Sequence, residues 1–296
     1  MTAYNPMTPD DCSLIKGYFA SSGKADCDHC FAAMLRWSFR HPLEYRIEDE
    51  TLFIRTVTGD EIWYLMPMGK MAPEGMLSVI RSESKELCLP FLIFGIDRDD
   101  RKMLEEAAKD SLLIEEDRDG EDYIYLTSDL SKLPGKNYRK KRNHCSRFEK
   151  DFPDYTFETI TQDNISDARN FELEWNSIYS SPDNEDLNCE RDGILLLLDN
   201  FEKLGLFGGM IRAGGKVMAM TIAEELSSEM VDIVIEKAYH DVDSAYAVIN
   251  RDFARNCLSG YRFINREDDV GDEGLRTAKL RYHPIELRKK YVATAR

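Results

Sequence analysis

No apolar run in this chain approaches the ~20 residues that span a bilayer, and residues 1–11 lack a basic stretch leading into an apolar one. Neither a membrane span nor a secretory leader is therefore expected. Cysteine is sparse and odd in number, with seven scattered residues, which points to reduced thiols in a cytoplasm rather than a disulfide framework. Gly-x-Ser-x-Gly, P-loop and HExxH patterns are missing, so hydrolase, NTPase and zinc-protease readings find no support. There is no repeat of solenoid period and no low-complexity tract. Positive charge is short too: 39 Lys+Arg face 55 Asp+Glu, a formal net charge of −16. So acidic a body repels nucleic acid and anionic membrane in bulk, which excludes a general polyanion binder.

The positive charge that is present gathers in two places. Residues 132–150 (KLPGKNYRKKRNHCSRFEK) hold eight Lys/Arg and one acid, and residues 276–296 hold seven and one. The rest of the chain carries 24 basic groups against 53 acidic ones. Two basic islands on an acidic body predict a local site for an anion, above all a phosphate-bearing ligand.

At 296 residues and 43% hydrophobic content the chain has material for one large core or two medium ones, and two domains of about 125 and 170 residues match ordinary domain sizes better. Helical spacing covers 10–19 and 28–39; 51–57 and 61–66 alternate around Thr58-Gly59-Asp60 as a hairpin. A helix at 74–83, a buried strand at 89–96 (LPFLIFGI) and a helix at 98–109 follow. Strands at 111–115 and 122–126 flank the turn signal Asp119-Gly120. A boundary is expected near 127–135, where Ser128 or Asp129 offers a cap and Pro134-Gly135 breaks the chain.

Residues 137–152 form an amphipathic helix: Tyr138, Cys145, Phe148 and Phe152 mark its apolar side, while Lys136, Lys140, Asn143 and Arg147 share another face. A strand at 155–160 and helices at 164–179 and 188–204 come next. The clearest signal is the hairpin 206–212 and 216–224 around Gly214-Gly215, with 230–235 as a third antiparallel strand. A helix at 244–257 capped by Asp243 or Ser244, a strand at 261–265, a loop at 266–274 and a helix at 275–282 stopped by Pro284 complete the order. In a mixed sheet this sets the ends of 230–235 and 261–265 side by side, with Glu236, Lys237, Asn265, Arg266, Glu267, Asp268 and Asp269 on one rim, where open α/β sheets bind ligands.

That element order resembles the GNAT-type acyltransferase fold. The segments LPGKNYRKKRNHCSRF, IEKAYHDVDSAYAVIN and FINREDDVGDEGLRTAKLRYHP resemble those of a bacterial family related to the C-terminal domain of phosphatidylglycerol lysyltransferase. The resemblance covers nearly the whole chain. It implies an α/β (α+β) protein of two tandem GNAT-like domains, each a mixed, mainly antiparallel sheet flanked by helices. Residues 1–127 would be a diverged N-terminal domain, and 128–296 a C-terminal domain with the active cleft. The lysyltransferases and the Fem-like peptidoglycan enzymes move an aminoacyl group from charged tRNA to an amine or hydroxyl; other GNAT proteins move an acyl group from acyl-CoA. The resemblance therefore implies a cytoplasmic acyltransferase with no tightly bound cofactor, using aminoacyl-tRNA or acyl-CoA as co-substrate. Two departures matter. The stretch His240-Asp241-Val242-Asp243-Ser244-Ala245-Tyr246, where GNAT enzymes seat the CoA pyrophosphate on glycine amides, has no glycine and two acids, which weakens the CoA reading. The membrane domain of the lysyltransferases is not seen, which puts their lipid substrate in doubt.

The candidate residues follow. Glu236, Glu267, Asp268 and Asp269 are candidates for the base that deprotonates the acceptor, and Tyr246 for the acid on the leaving group. Lys140, Lys141, Arg142, Asn143, Arg147, Arg276 and Lys279 would hold donor phosphates. Lys237, Asn250, Asn265, Arg266 and Tyr282 would line the substrate cleft. Each has a plainer alternative: a solvated helix face for 136–147, a capped helix start at Asp272 or Glu273, a salt bridge from Glu236 to Lys237, Arg266 or Lys279, and aromatic core for Tyr246 and Tyr282. No metal site is expected; Cys27-Asp28-His29-Cys30 has no second pair to complete a four-ligand set and reads as a helix start. The rival function is a non-catalytic protein binding RNA or an anionic metabolite on the same scaffold.

Overall fold

A computed structural model describes residues 3–242 and 244–296, so Asp243, one of the two expected caps, lies outside the described residues. The first part of the chain forms β1 (Asn5–Pro6), α1 (Cys12–Ser22), α2 (Phe31–Trp37), β2 (Glu44–Glu48), β3 (Thr51–Val57), β4 (Ile62–Leu65) and β5 (Met68–Gly69). Then come α3 (Pro73–Leu87), β6 (Phe91–Ile96), α4 (Arg98–Ala108), β7 (Leu112–Glu116), β8 (Asp122–Leu126), α5 (Thr127–Lys132) and α6 (Arg139–Asp151). The rest holds β9 (Thr156–Thr159), α7 (Ile165–Tyr179), α8 (Glu185–Asp199), β10 (Phe207–Ala213), β11 (Lys216–Ser227) and β12 (Met230–Ala238). It ends in α9 (Ser244–Asn256), β13 (Phe263–Asn265), α10 (Glu273–Leu280), β14 (Glu286–Arg288) and β15 (Tyr291–Ala295).

Local chemistry accounts for many of these ends. Asp97 caps α4 by accepting from the Asp99 and Asp100 amides, and Asp100 reaches back to the Asp97 amide. Asp272 caps α10 by accepting from the Leu275 amide. Gly214 and Gly215 take φ of 58° and 77°, the left-handed pair that a tight hairpin between β10 and β11 requires. At α5 the helix begins at Thr127, so both expected caps, Ser128 and Asp129, lie inside its first turn.

Two mixed sheets result. The first runs β1-β2-β3-β4-β6-β15-β7 with β5 beside β3; the second runs β14-β8-β13-β12-β11-β10-β9. The strands on either side of Asp119-Gly120 part company there, β7 staying in the first sheet and β8 entering the second between β13 and β14. In return β15 inserts between β6 and β7. A division into units 1–127 and 128–296 is thus a proposal about descent, since each sheet holds a strand from the other side of that line. Expected elements stop at Pro284, whereas two further strands follow it. They are short, three and five residues, and their sequences (ELR, YVATA) carry little of the long alternation that marks a strand.

Helices α3 and α4 cover one face of the first sheet, and α5, α6 and α9 cover one face of the second. Between the sheets lies one continuous apolar cluster, to which α1, α2, α7 and α8 contribute along with Leu52, Ile54, Met210, Met220 and Ile222. Helices α2 and α8 touch so closely that a Cβ on Gly193 would stand 1.9 Å from the Arg36 carbonyl oxygen.

Each sheet has one parallel pair at its centre. In the first, β4 and β6 stay together from Ile62–Phe91 to Leu65–Phe94, and the Met66 amide still reaches the Phe94 carbonyl at 2.8 Å. In the second, β12 and β13 pair over three residues only, Met230–Phe263 to Asp232–Asn265. Past that point β12 runs on to Ala238 while the other chain turns away. A bulge in β12 at Val234, where Ile222 pairs Ile235 but Ala223 pairs Ile233, bends the strand further.

Candidate active site

The parting of β12 from β13 opens a cavity of about 980 Å³. Its floor comes from residues 233–237, the start of the site loop (Arg266, Glu267) and the first turn of α9 (Tyr246, Ala247); one wall is α10 and the other the N-terminal half of α6. Helix α6 is seated by Cys145 and Phe148, both buried against α9. The Tyr138 hydroxyl, at the start of α6, donates to the Tyr282 carbonyl at 2.6 Å and so ties this wall to residues 281–283.

The floor is a row of ion pairs. Arg266 donates to Glu236 at 2.7 Å, and Asn250 donates to the other Glu236 oxygen at 3.0 Å. Arg266 keeps its second terminal nitrogen buried with no hydrogen-bond partner. Arg36 grips Glu267 with one nitrogen, at 2.9 and 3.0 Å, and donates with the other to the Val234 carbonyl at the bulge. Lys237 lies 2.9 Å from Glu172 and 2.9 Å from Glu190, with its ammonium over the Trp175 ring. Burial pushes Glu172 up to about 7 even though Lys237 opposes the shift. Tyr246 is likewise raised by burial, to about 12.

The mouth is different in kind. Lys140, Lys141, His144, Arg281 and His283 gather there with no carboxylate of α6 among them. Lys141 lies over the Tyr282 ring at 3.5 Å, and Arg266 lies over the same ring at 4.7 Å.

Nine of the expected residues line this cleft: Glu236, Glu267, Tyr246, Lys140, Lys141, Lys279, Lys237, Arg266 and Tyr282. Lys279 is buried, and its ammonium donates to the carbonyls of Arg266 (2.6 Å) and Asp268, so it staples the site loop rather than meeting a phosphate. Burial holds it below the ordinary lysine value. The other eight lie elsewhere. Asp269 is buried under α10, bonded to Arg276, Arg118 and Tyr123. Burial would raise it, but Arg276, Tyr123 and the Gly271 amide outweigh that and hold it well below the carboxylate range.

Arg276 is thereby spent, on Asp269 and Asp119. Asp268 points away from the cleft toward Cys27, 3.9 Å off, and burial raises it to about 7. Asn265 is fully buried, donating to Asp122 and accepting the Glu267 amide. Asn250 sits behind Glu236 as its positioning partner. Arg142 folds back on the Leu133 and Gly135 carbonyls, Arg147 pairs with Asp151 at 3.5 Å, and Asn143 is exposed on α6 outside the cleft.

Arg36, Glu190, His144, His240, Arg281 and His283 also line the cleft and were not foreseen. Arg36 crosses from α2, between β1 and β2 of the first sheet, a proximity no local pattern encodes. The Glu172–Lys237–Glu190 group had a legible sign: Glu172 falls at helical spacing among Ala168, Phe171 and Trp175, a carboxylate on a buried face. Cys27 and Cys30 are buried free thiols, and burial pushes both well above the usual thiol value. Among the described residues no three His, Cys, Asp or Glu are placed to hold a metal ion, and no helix is long and apolar enough to cross a membrane.

Two mixed sheets flanked by helices, each with a parallel pair at its centre, give the GNAT fold in tandem, and in the second sheet that pair splays. A tandem GNAT protein from the clavulanic acid biosynthesis pathway shares it: TM-score 0.52 at 7% identity, covering 99% of this chain and 98% of that one. The family described as phosphatidylglycerol lysyltransferase, C-terminal, matches residues 19–294, and the chain belongs to it. A conserved protein of unknown function from Bacteroides thetaiotaomicron is 34% identical over 100% of both chains, with a TM-score of 0.91. L-PGS from Bacillus licheniformis is 15% identical, with a TM-score of 0.64 over 96% of this chain and 91% of that one. Comparison with curated proteins gives no match.

Proposed function

We propose that this protein is an aminoacyltransferase, taking an aminoacyl group from a charged RNA donor and passing it to an amine or hydroxyl acceptor. One observation carries the reading: the cleft has a cationic mouth at Lys140, Lys141 and Arg281 above a floor whose charged side chains, Arg36, Lys237 and Arg266, are each held by carboxylates. Phosphates of the donor would rest at the mouth and the aminoacyl ester on the floor. Family membership supports acyl transfer in general. Against coenzyme A stands the start of α9, where the Ala245 amide is spent on the Val242 carbonyl at 2.8 Å and Ser244 and Ala245 are buried.

In this scheme the acceptor nitrogen bonds to the ester carbonyl carbon and the carbonyl oxygen takes the negative charge. The unpartnered nitrogen of Arg266 is the donor for that oxyanion. Glu236, held in place by Asn250 and Arg266, takes the proton from the acceptor. As the carbon–oxygen bond to the ribose breaks, Tyr246, protonated at neutral pH, supplies a proton to the leaving oxygen.

The test follows a labelled aminoacyl group out of RNA into an amine- or hydroxyl-bearing product. Arg266→Gln should lower turnover by about 10²–10³-fold with RNA affinity little changed. Lys140→Glu should raise KM instead. Turnover with acyl-CoA and none with charged RNA would overturn the donor assignment. The ion pairing of both Glu236 and Glu267 favours a second reading, a binding protein without chemistry, and RNA binding with no transfer would select it.

A further inference from the structure

At the far end of α9 from the cleft lies a second cavity of about 560 Å³, between α5, the end of α9 and the approach to β13. Its charged and hydroxyl-bearing walls come from Lys132, Arg255, Arg262, Ser128, Ser131 and Ser259, and none of its ten lining residues is acidic. On a chain of 55 Asp+Glu that is an uncommon stretch of surface. Two carboxylates border it: Glu225 accepts from the Tyr261 hydroxyl, and Asp252 lies 3.7 Å from Arg255 but is already bonded to Arg251 at 2.7 Å. Arg255 is fixed by a bond of 2.6 Å to the Ser131 carbonyl, and the buried Thr127 hydroxyl at the edge has no partner in the protein.

This cavity is continuous with the cleft along the chain. Residues 132–140 lead from Lys132 in the cavity to Asn137 and Lys140 in the cleft mouth, with no acid between. Lys136 and Arg139 stand exposed along the way, and Arg142 braces the segment by its grip on the Gly135 carbonyl at 2.8 Å. Beneath it α9 spans from Tyr246 at the cleft to Arg255 at the cavity, ~14 Å at 1.5 Å per residue. Phosphates of one strand in a duplex advance about 3.4 Å along the axis, so the path matches about four of them.

We infer that the cavity at Lys132, Arg255 and Arg262 is a distal seat for the phosphate backbone of the polynucleotide whose end enters the cleft. The inference rests on the RNA-donor reading above. A small phosphorylated ligand would need the cavity alone; the acid-free track to the cleft favours a long polyanion. The seat adds affinity and orientation and takes no part in the chemistry.

Lys132→Gln/Arg262→Gln changes two exposed side chains outside the cleft. The probes are a fluorescent RNA stem-loop with a free 3′ end, a trinucleotide 3′-aminoacyl ester that reaches only the cleft, and inorganic pyrophosphate. The double variant should bind the stem-loop about tenfold more weakly at low salt. It should also lower the slope of log affinity against log salt by about two. Turnover of the trinucleotide ester should be unchanged. Equal stem-loop affinity and slope in both proteins, with ester turnover intact, overturns the seat and leaves the proposed function standing. No stem-loop binding and no ester turnover in the wild type overturns both. Saturable pyrophosphate binding lost in the variant, with RNA binding unmoved, reassigns the cavity to a small ligand.

Discussion

Individual residues in this protein are placed by burial and charge in ways that can be measured. Asp268 is raised by burial from 3.8 to about 7, so between those pH values the folded protein holds a proton that the unfolded chain has lost. Stability contributed by this site is therefore present at low pH and falls as pH rises through that window. The deficit above pH 7 is on the order of 4 kcal/mol. Asp268→Asn should thus stabilise the protein more at pH 8 than at pH 5 in urea denaturation; equal effects at both would contradict it. Arg36 offers a second case. Removing it as Arg36→Leu leaves the half-buried Glu267 without its partner and should cost about 3 kcal/mol. Arg36→Leu/Glu267→Leu should recover most of that in a double-mutant cycle, and additive losses would argue against the pair. At this scale the sequence was half legible. Glu236 and Arg266 announced themselves by falling on the rim where two strands end. Asp269 looked the same, four residues from a helix start, yet Arg276 and Tyr123 claim it from outside the local segment.

Elements were read more surely than residues, because periodicity is local and pairing is not. The hairpin at Gly214-Gly215, the strand 91–96 and the α9 helix follow from alternation or from apolar spacing in the chain itself. The splay of β12 from β13 was expected only as two strand ends side by side; the three-residue pairing and the bulge at Val234 that widen it into a cleft depend on the neighbouring β11. The close seating of α2 on α8 left no sign beyond Gly193. Gly193→Ala forces a Cβ against the Arg36 carbonyl and should destabilise by about 3 kcal/mol, read from the urea midpoint. It should also disturb the cleft, since the displaced residue is Arg36. An unchanged midpoint would show that the helices part at little cost.

Over the whole molecule the two sheets are laced together by exchange. Asp122 in β8 accepts from the Cys27 amide at 2.9 Å, and Lys290 bonds both Asp122 and Asp28, so the segment leading into α2, the second sheet and the approach to β15 meet in one group. Deleting residues 290–296 should therefore unfold more than a terminus. Amide exchange in residues 91–96 and 112–116 should rise together with loss of cooperative unfolding, and native protection there would contradict the prediction. None of this lacing was visible in the sequence: β15 is five residues of small alternation whose partners lie far back in the chain.

That placement also sets an order in time. β15 is made about 175 residues after β7, which at a ribosomal pace of roughly 5–20 residues per second is a wait of about 9–35 seconds. Until then β6 and β7 face each other across an empty strand position, each with an unpaired edge of the kind that recruits foreign strands. The first sheet therefore cannot close until the last residues of the chain have been made.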